Sequence, residues 1–176
     1  KLIPLTIEKT HNLKKDTYEA ESLLNNYGYT IKDSNIMDIG CYAGIQCYAA
    51  AELGAKSAKG IDIPEYFTLQ TTGKNISNNN DVKEHSNLYT QKRKEASTAF
   101  APEILSKVSF EDLSVHNLTE KEKYDIIFSW ETLEHIIDNE KGFKNIYNAL
   151  APGGVSLHTY NPFFSITGGH SLCTTN

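Results

Sequence analysis

Acids, glycines and an imidazole gather at four points of this sequence. Asp38-Ile39-Gly40-Cys41-Tyr42-Ala43-Gly44 ends an apolar run with a carboxylate and two glycines. Gly40 lets the chain turn sharply because it has no Cβ, and Gly44 lets a following helix start close to whatever lies above the turn. Asp62 comes ~24 residues after that motif, close to the ~20 expected of a carboxylate that holds ribose hydroxyls. Its two acceptor oxygens suit the paired 2′ and 3′ hydroxyls of a nucleoside. Glu111-Asp112 places a carboxylate where it could accept from an exocyclic amine. Ser129-Trp130-Glu131 ends another apolar run, and His135 follows four residues after Glu131. An imidazole with an unperturbed pKa of ~6.5 suits proton abstraction near neutrality, so His135, with Glu131 beside it, is the candidate catalytic group.

These residues need elements to hold them. Residues 16–27 read as a short amphipathic helix, with Asp16 as its cap and Gly28 as its stop. Ile36 to Ile39 is a buried-type strand, residues 44–53 a helix, and Ala58 to Ile63 a second strand ended by Pro64. That is a βαβ unit, whose strands lie parallel with a right-handed crossover. Lys107 to Phe110, Tyr124 to Ser129 and Val155 to Thr159 read as three more strands. Residues 131–150 read as one long helix, with Leu133, Ile136, Ile137, Phe143, Ile146, Tyr147 and Leu150 facing inward, ended by Ala151-Pro152-Gly153-Gly154. On that helix Glu131 and His135 would form an i,i+4 pair. Alternating strands and helices predict an α/β, Rossmann-like, doubly wound sheet, mostly parallel and covered by helices on both faces. Such sheets bind ligands beyond the carboxyl ends of their strands, where all four motifs fall. Residues 71–106 form an insertion longer than a crossover helix needs; it is either a lid or substrate wall, or a surface excursion. Its Lys92-Arg93-Lys94 reads as a solvated helix face, with an anionic acceptor as the other use.

Taken together, DIGCYAG (38–44), GID (60–62), YDIIFSWETLEHI (124–136) and LAPGG (150–154) make the chain resemble the class I S-adenosylmethionine-dependent methyltransferases. The resemblance covers roughly Ile36 to Asn161. It implies a seven-stranded sheet with one reversed strand, of which five strands can be read here. It implies that Gly40, Cys41, Tyr42 and Gly44 form the loop under the methionine part and sugar of the cofactor. By the same resemblance, Asp38 fixes that loop and the cofactor amino group, and Asp62 binds the ribose. Ile63 packs on the adenine, Asp112 and Leu113 lie near the adenine amine, and Ser129 and Trp130 face the methionine part. Tyr42 departs from the family, standing where the usual G-x-G-x-G has its middle glycine.

Methyl transfer is an in-line displacement on an already activated donor, so the protein must mainly position the partners and exclude water. The acceptor expected is an oxygen or nitrogen of a small polar molecule, such as a sugar or polysaccharide precursor. Asn161 and His170, in the aromatic and glycine-rich stretch after the fifth strand, are the candidate acceptor contacts. Glu131, Glu134 and His135 also form the E-x-x-E-H string of metal-dependent small-RNA 2′-O-methyltransferases, with His158 or His170 as a further ligand; no metal is expected. A non-catalytic nucleotide-binding module on the same fold is a further reading. A nicotinamide-dependent oxidoreductase would want G-x-G-x-x-G and Tyr-x-x-x-Lys, and neither is present.

Composition bounds the partners. The 176 residues suit one domain, here 1–176, and 39% hydrophobic residues suffice for a core. A formal net charge of −5 argues against a nucleic acid or an anionic membrane as partner. Three cysteines suggest no disulfide framework, and a cytoplasmic setting is expected. The chain begins at Lys1 and ends in a polar run, and is expected to be a piece of a longer protein that lacks its last two strands.

Overall fold

In the computed structural model, which describes residues 7–63 and 79–162, five parallel strands form one sheet in the order β3-β2-β1-β4-β5. The strands are β1 (Asn35–Ile39), β2 (Ser57–Asp62), β3 (Val108–Asp112), β4 (Tyr124–Trp130) and β5 (Leu150–Thr159). Helices α1 (Ile7–Asn25), α2 (Ile45–Glu52), α3 (Asn79–Ser97), α4 (Pro102–Leu105) and α5 (Asn139–Ala149) accompany them. The central strand β1 pairs with β2 on one side and β4 on the other, with Ile39 opposite both Ile61 and Ser129. The chain first builds outward through β2 and β3, then returns to place β4 against β1. That reversal opens a crevice beyond the ends of β1 and β4, the point where such a sheet takes ligands.

The doubly wound α/β expectation therefore holds, and the physical reason is visible in the strands. Ile36, Met37 and Ile39 of β1, and Ile126, Ile127 and Phe128 of β4, are all buried, because helices cover both faces. On one face Ile36, Ile126 and Phe128 pack with Ala20 and Leu24 of α1 and Cys47 and Ala50 of α2. On the other, Met37, Ile39, Ile61 and Ile127 pack with Val115 and with Ile146 and Ala149 of α5. The insertion is not a bare excursion: Ala96 and Phe100 close its helical part against Ile45 and Tyr48 of α2. Phe100 and Tyr48 stack with ring centroids 4.8 Å apart.

Three sequence expectations change. The long helix over 131–150 does not form as one piece. Glu131 adopts a left-handed φ of 47°, Leu133–His135 is a single 3₁₀ turn, and Ile136 is extended. The α-helix starts only after Asp138, whose carboxylate accepts from the Lys141 amide at 3.0 Å. An aspartate cap satisfies a free helix amide, and here it decides the start over the apolar spacing upstream. Glu131 and His135 are consequently not an i,i+4 helical pair. The inward face is also smaller: Ile146 is buried, whereas Ile137 is 98% and Tyr147 77% exposed. Helix α1 starts at Ile7, so Asp16 lies within it rather than at its cap, and Ala20 and Leu24, not Leu23 or Tyr27, face the core. Finally, Lys92 and Arg93 are not a solvated face. Lys92 is 4% exposed and bonds Glu95 at 2.7 Å, and Arg93 turns toward the sheet.

Candidate active site

Gly40 and Gly44 shape the turn after β1, both with left-handed backbone (φ 77° and 74°). A Cβ on Gly40 would collide with the Thr132 side chain, and one on Gly44 with the Phe110 ring. Both glycines are thus required by conformation and by close approach. Tyr42 between them is also left-handed (φ 46°), so the residue in the glycine's place keeps a glycine-like backbone. Its amide donates to Asp62 Oδ2 at 2.7 Å, and the Ile63 amide donates to Asp62 Oδ1 at 2.7 Å. Asp62 is therefore oriented by the backbone on both oxygens. Burial still pushes its carboxyl above the ordinary carboxylate range, against the two amides and the nearby Arg93.

Asp38 lies beneath this loop and is 1% exposed. Cys47 Sγ donates to its Oδ2 at 3.9 Å, while its Oδ1 has no hydrogen-bond partner among the described residues. Burial, with the Asp62 charge next, raises the Asp38 carboxyl well above its usual range.

Two cavities meet over the strand ends and share Gly40, Tyr42, Trp130 and Glu131. One, of about 520 Å³, is lined by Asp62, Ile63, Leu113, Ser114, His135 and Tyr89 among others. The second, of about 700 Å³, opens under α1 and is lined by Cys41, Ile45, Leu23, Asp16 and Glu19. Burial first, then Glu19 and Glu131, raise the Asp16 carboxyl. Trp130 forms the wall between them. Its ring packs on Phe128 at 5.6 Å, and its Nε1 is buried with no hydrogen-bond partner among the described residues.

The structure brings together Gly40, Cys41, Tyr42, Asp62, Ile63, Leu113, Trp130, Glu131 and His135 around these cavities, while Asp38, buried, and Gly44, at the end of the loop, lie outside both linings. Other expected residues are placed elsewhere. Ser129 is fully buried, with Oγ 2.7 Å from His158 Nδ1, on the face away from Trp130. Burial lowers the pKa of His158. Asp112 lies outside both cavity linings and pairs with Arg93 at 3.3 Å. Asn161 donates to Glu134 Oε1 through its amide at 3.3 Å and its Nδ2 at 3.4 Å. Glu134 thus faces the end of β5 while Glu131 faces the cavities, so the E-x-x-E-H string does not converge. Among the described residues no three His, Cys, Asp or Glu side chains are grouped to hold a metal ion. His170 lies outside the described residues. Tyr89, Ser114 and Thr132 are cavity residues that sequence reasoning missed.

A family model described as a methyltransferase domain matches residues 11–165. The chain belongs to the class I methyltransferases, a family that uses S-adenosylmethionine. Ribosomal protein L11 methyltransferase of Haemophilus influenzae is 39% identical over 67 residues, which are 38% of this chain and 22% of that one. Among solved structures, an S-adenosylmethionine-dependent methyltransferase from Mesorhizobium loti aligns with a TM-score of 0.55 at 20% identity, over 79% of this chain and 51% of its own. Phosphoethanolamine N-methyltransferase 2 from Haemonchus contortus, in complex with phosphomonomethylethanolamine and S-adenosylhomocysteine, aligns with a TM-score of 0.55 at 20% identity, over 80% and 27%. This methyltransferase chain thus spans about a fifth of the length of the curated relative, and about half and about a quarter of these two solved chains. Among the described residues no helix is long and apolar enough to cross a membrane.

Proposed function

We propose that this chain, as a single domain, binds S-adenosylmethionine and transfers its methyl group to an oxygen or nitrogen of a small polar acceptor, with a sugar or polysaccharide precursor as the leading class. The observation that carries the reading is the pair of cavities that meet at Gly40, Tyr42, Trp130 and Glu131. A two-part ligand suits two joined cavities, with its nucleoside in one and its reactive end at the junction. The residues present fit this cofactor. Asp62, aimed by the Tyr42 and Ile63 amides, keeps a further lone pair on each oxygen for the ribose hydroxyls. Ile63 and Leu113 offer apolar walls for the adenine. The unpartnered Oδ1 of Asp38 is a buried acceptor for which the cofactor's amino group, through an ordered water, would be a partner.

When bound, the cofactor supplies a methyl group already activated on a sulfonium. The rest falls to the chain. Trp130 excludes water at the junction of the cavities, and the glycine loop fixes the floor. His135, on the cavity wall, is placed to take a proton from an acceptor hydroxyl or ammonium, with Glu131 as the neighbouring carboxylate. Because Ser129 Oγ is turned to His158, only the backbone of Ser129 can contribute at the strand end. Asp112 acts through Arg93 rather than on the adenine. Asn161, which bonds Glu134, is proposed as an acceptor contact, as is His170 on its sequence position alone.

Calorimetric titration with S-adenosylhomocysteine, beside NAD, tests the reading. Saturable binding of the first alone, weakened at least about tenfold by Asp62→Ala, is the expected result. A folded protein that binds neither would overturn it. Incubation of the protein with S-adenosylmethionine and panels of sugar and amine acceptors, read as S-adenosylhomocysteine release, then identifies the acceptor.

A further inference from the structure

The left-handed backbone of Tyr42 is the one point in the loop where this chain holds a side chain in place of a glycine. A non-glycine residue there is strained and persists only where its surroundings hold it. Tyr42 is held on both sides of its Cα. Its amide is bound by Asp62 Oδ2 at 2.7 Å, and its carbonyl accepts from Arg93 Nε at 3.3 Å. Arg93 comes from α3, fifty-one residues away in sequence. The same guanidinium pairs with Asp112 at 3.3 Å and approaches Cys41 Sγ at 3.9 Å. It lies over the Phe110 and Tyr89 rings, 4.7 and 5.3 Å from their centroids. With its side chain 11% exposed and outside both cavity linings, Arg93 is a packed, charged fork behind the loop and not a ligand contact.

We propose that Arg93 is a positioning residue for the cofactor: from the inserted helix it clamps the Tyr42 peptide in its left-handed conformation, keeps the Tyr42 amide on Asp62, and so aims Asp62 at the ribose. The inserted segment then serves the site by holding the loop from outside, and Asp112 serves it by anchoring the clamp. The proposal rests on the cofactor reading above.

The test is a double-mutant cycle read in the dissociation constants of S-adenosylhomocysteine and adenosine. Arg93→Met keeps the apolar stem over Phe110 and removes the charge and the donors. It is expected to weaken both ligands about tenfold and by the same factor, because the fault lies at the ribose. In a Tyr42→Gly background the same change is expected to cost less than about threefold, since glycine takes the left-handed conformation without a clamp. A merely structural role for Arg93 would cost the same in both backgrounds, and that result would overturn the proposal, as would unchanged affinity. Should melts show that Arg93→Met does not fold, Arg93→Lys carries the same comparison, because one ammonium cannot span from Tyr42 to Asp112. If the parent protein binds no S-adenosylhomocysteine, it is the cofactor reading that fails. If it binds and the cycle shows no coupling, only the role of Arg93 does.

Discussion

Replacing Asp38 by asparagine should make the protein more stable and a poorer binder of its cofactor. The carboxylate is 1% exposed, and among the described residues its Oδ2 has only a 3.9 Å thiol contact from Cys47 and its Oδ1 has no partner. An unsatisfied buried polar atom costs about 1–3 kcal/mol, more when charged. Asparagine has nearly the same shape, can still accept from Cys47 through its carbonyl and carries no charge to desolvate; its NH2 takes the place of Oδ1, so the gain is the cost of the buried charge and not of the missing partner. The sign of the pH dependence follows from the raised carboxyl. The native state holds the Asp38 proton to a higher pH than the unfolded chain does, so its contribution is fully present below the unfolded value of 3.8 and is lost as pH rises through the native titration. The variant's advantage should therefore be smallest near about pH 4 and grow as pH rises through the native titration, by about 2–4 °C in melting temperature for each kcal/mol recovered. Thermal melts of both proteins across that range are the assay. Calorimetry on the same samples should show S-adenosylhomocysteine bound about tenfold to a hundredfold more weakly, from loss of a charged acceptor worth about 1.5–3 kcal/mol. A variant that melts at or below the parent at the higher pH, or a gap that does not change with pH, would refute the argument that this acid is held against its own desolvation for the sake of the ligand.

Gly44→Ala should lower the melting temperature by about 4–8 °C, since it combines a left-handed alanine (φ 74° at the glycine) with a clash against the Phe110 ring, together about 2 kcal/mol. The revised face of α5 gives a paired test by denaturant unfolding. Ile146→Ala, in the core with Met37 and Ile127, should cost about 2–5 kcal/mol, whereas Tyr147→Ser, 77% exposed, should stay within about 0.5 kcal/mol.

The parts of the molecule that could be read from sequence are those whose physics is local. Parallel strands covered on both faces must be apolar throughout, so Ile36–Ile39 and Ile126–Phe128 announced β1 and β4, and the residues just after them announced the crevice. The loop between β1 and α2 was legible for the same reason, because Gly40 and Gly44 are demanded by backbone geometry at fixed places. Apolar spacing misled where a short polar signal overrode it. The spacing from Leu133 to Tyr147 runs as a helix should, yet the left-handed Glu131 and the capping Asp138 divide it.

What the sequence could not reveal is which distant group completes a charge. Lys92-Arg93-Lys94 reads as a solvated face because three adjacent cations in a polar helix offer no apolar stripe, and the one local partner, Glu95, serves a single cation. In the fold Lys94 stays exposed, Lys92 bonds Glu95, and Arg93 meets Asp112 and the Tyr42 carbonyl from another element. For the same reason the sequence showed only a ligand role for Asp112, while in the fold one of its carboxylate oxygens meets the Arg93 guanidinium. Buried Tyr89 and Ala96, two turns apart on α3, were the local sign that this helix turns a face to the sheet. A helix docked that way brings Arg93, one turn after Tyr89, toward the strand ends, where acids crowd. In this chain the contacts of Arg93 with Asp112 and the Tyr42 carbonyl favour a clamp on the strand-end loop over a landing point for an anionic substrate, which is what the double-mutant cycle tests.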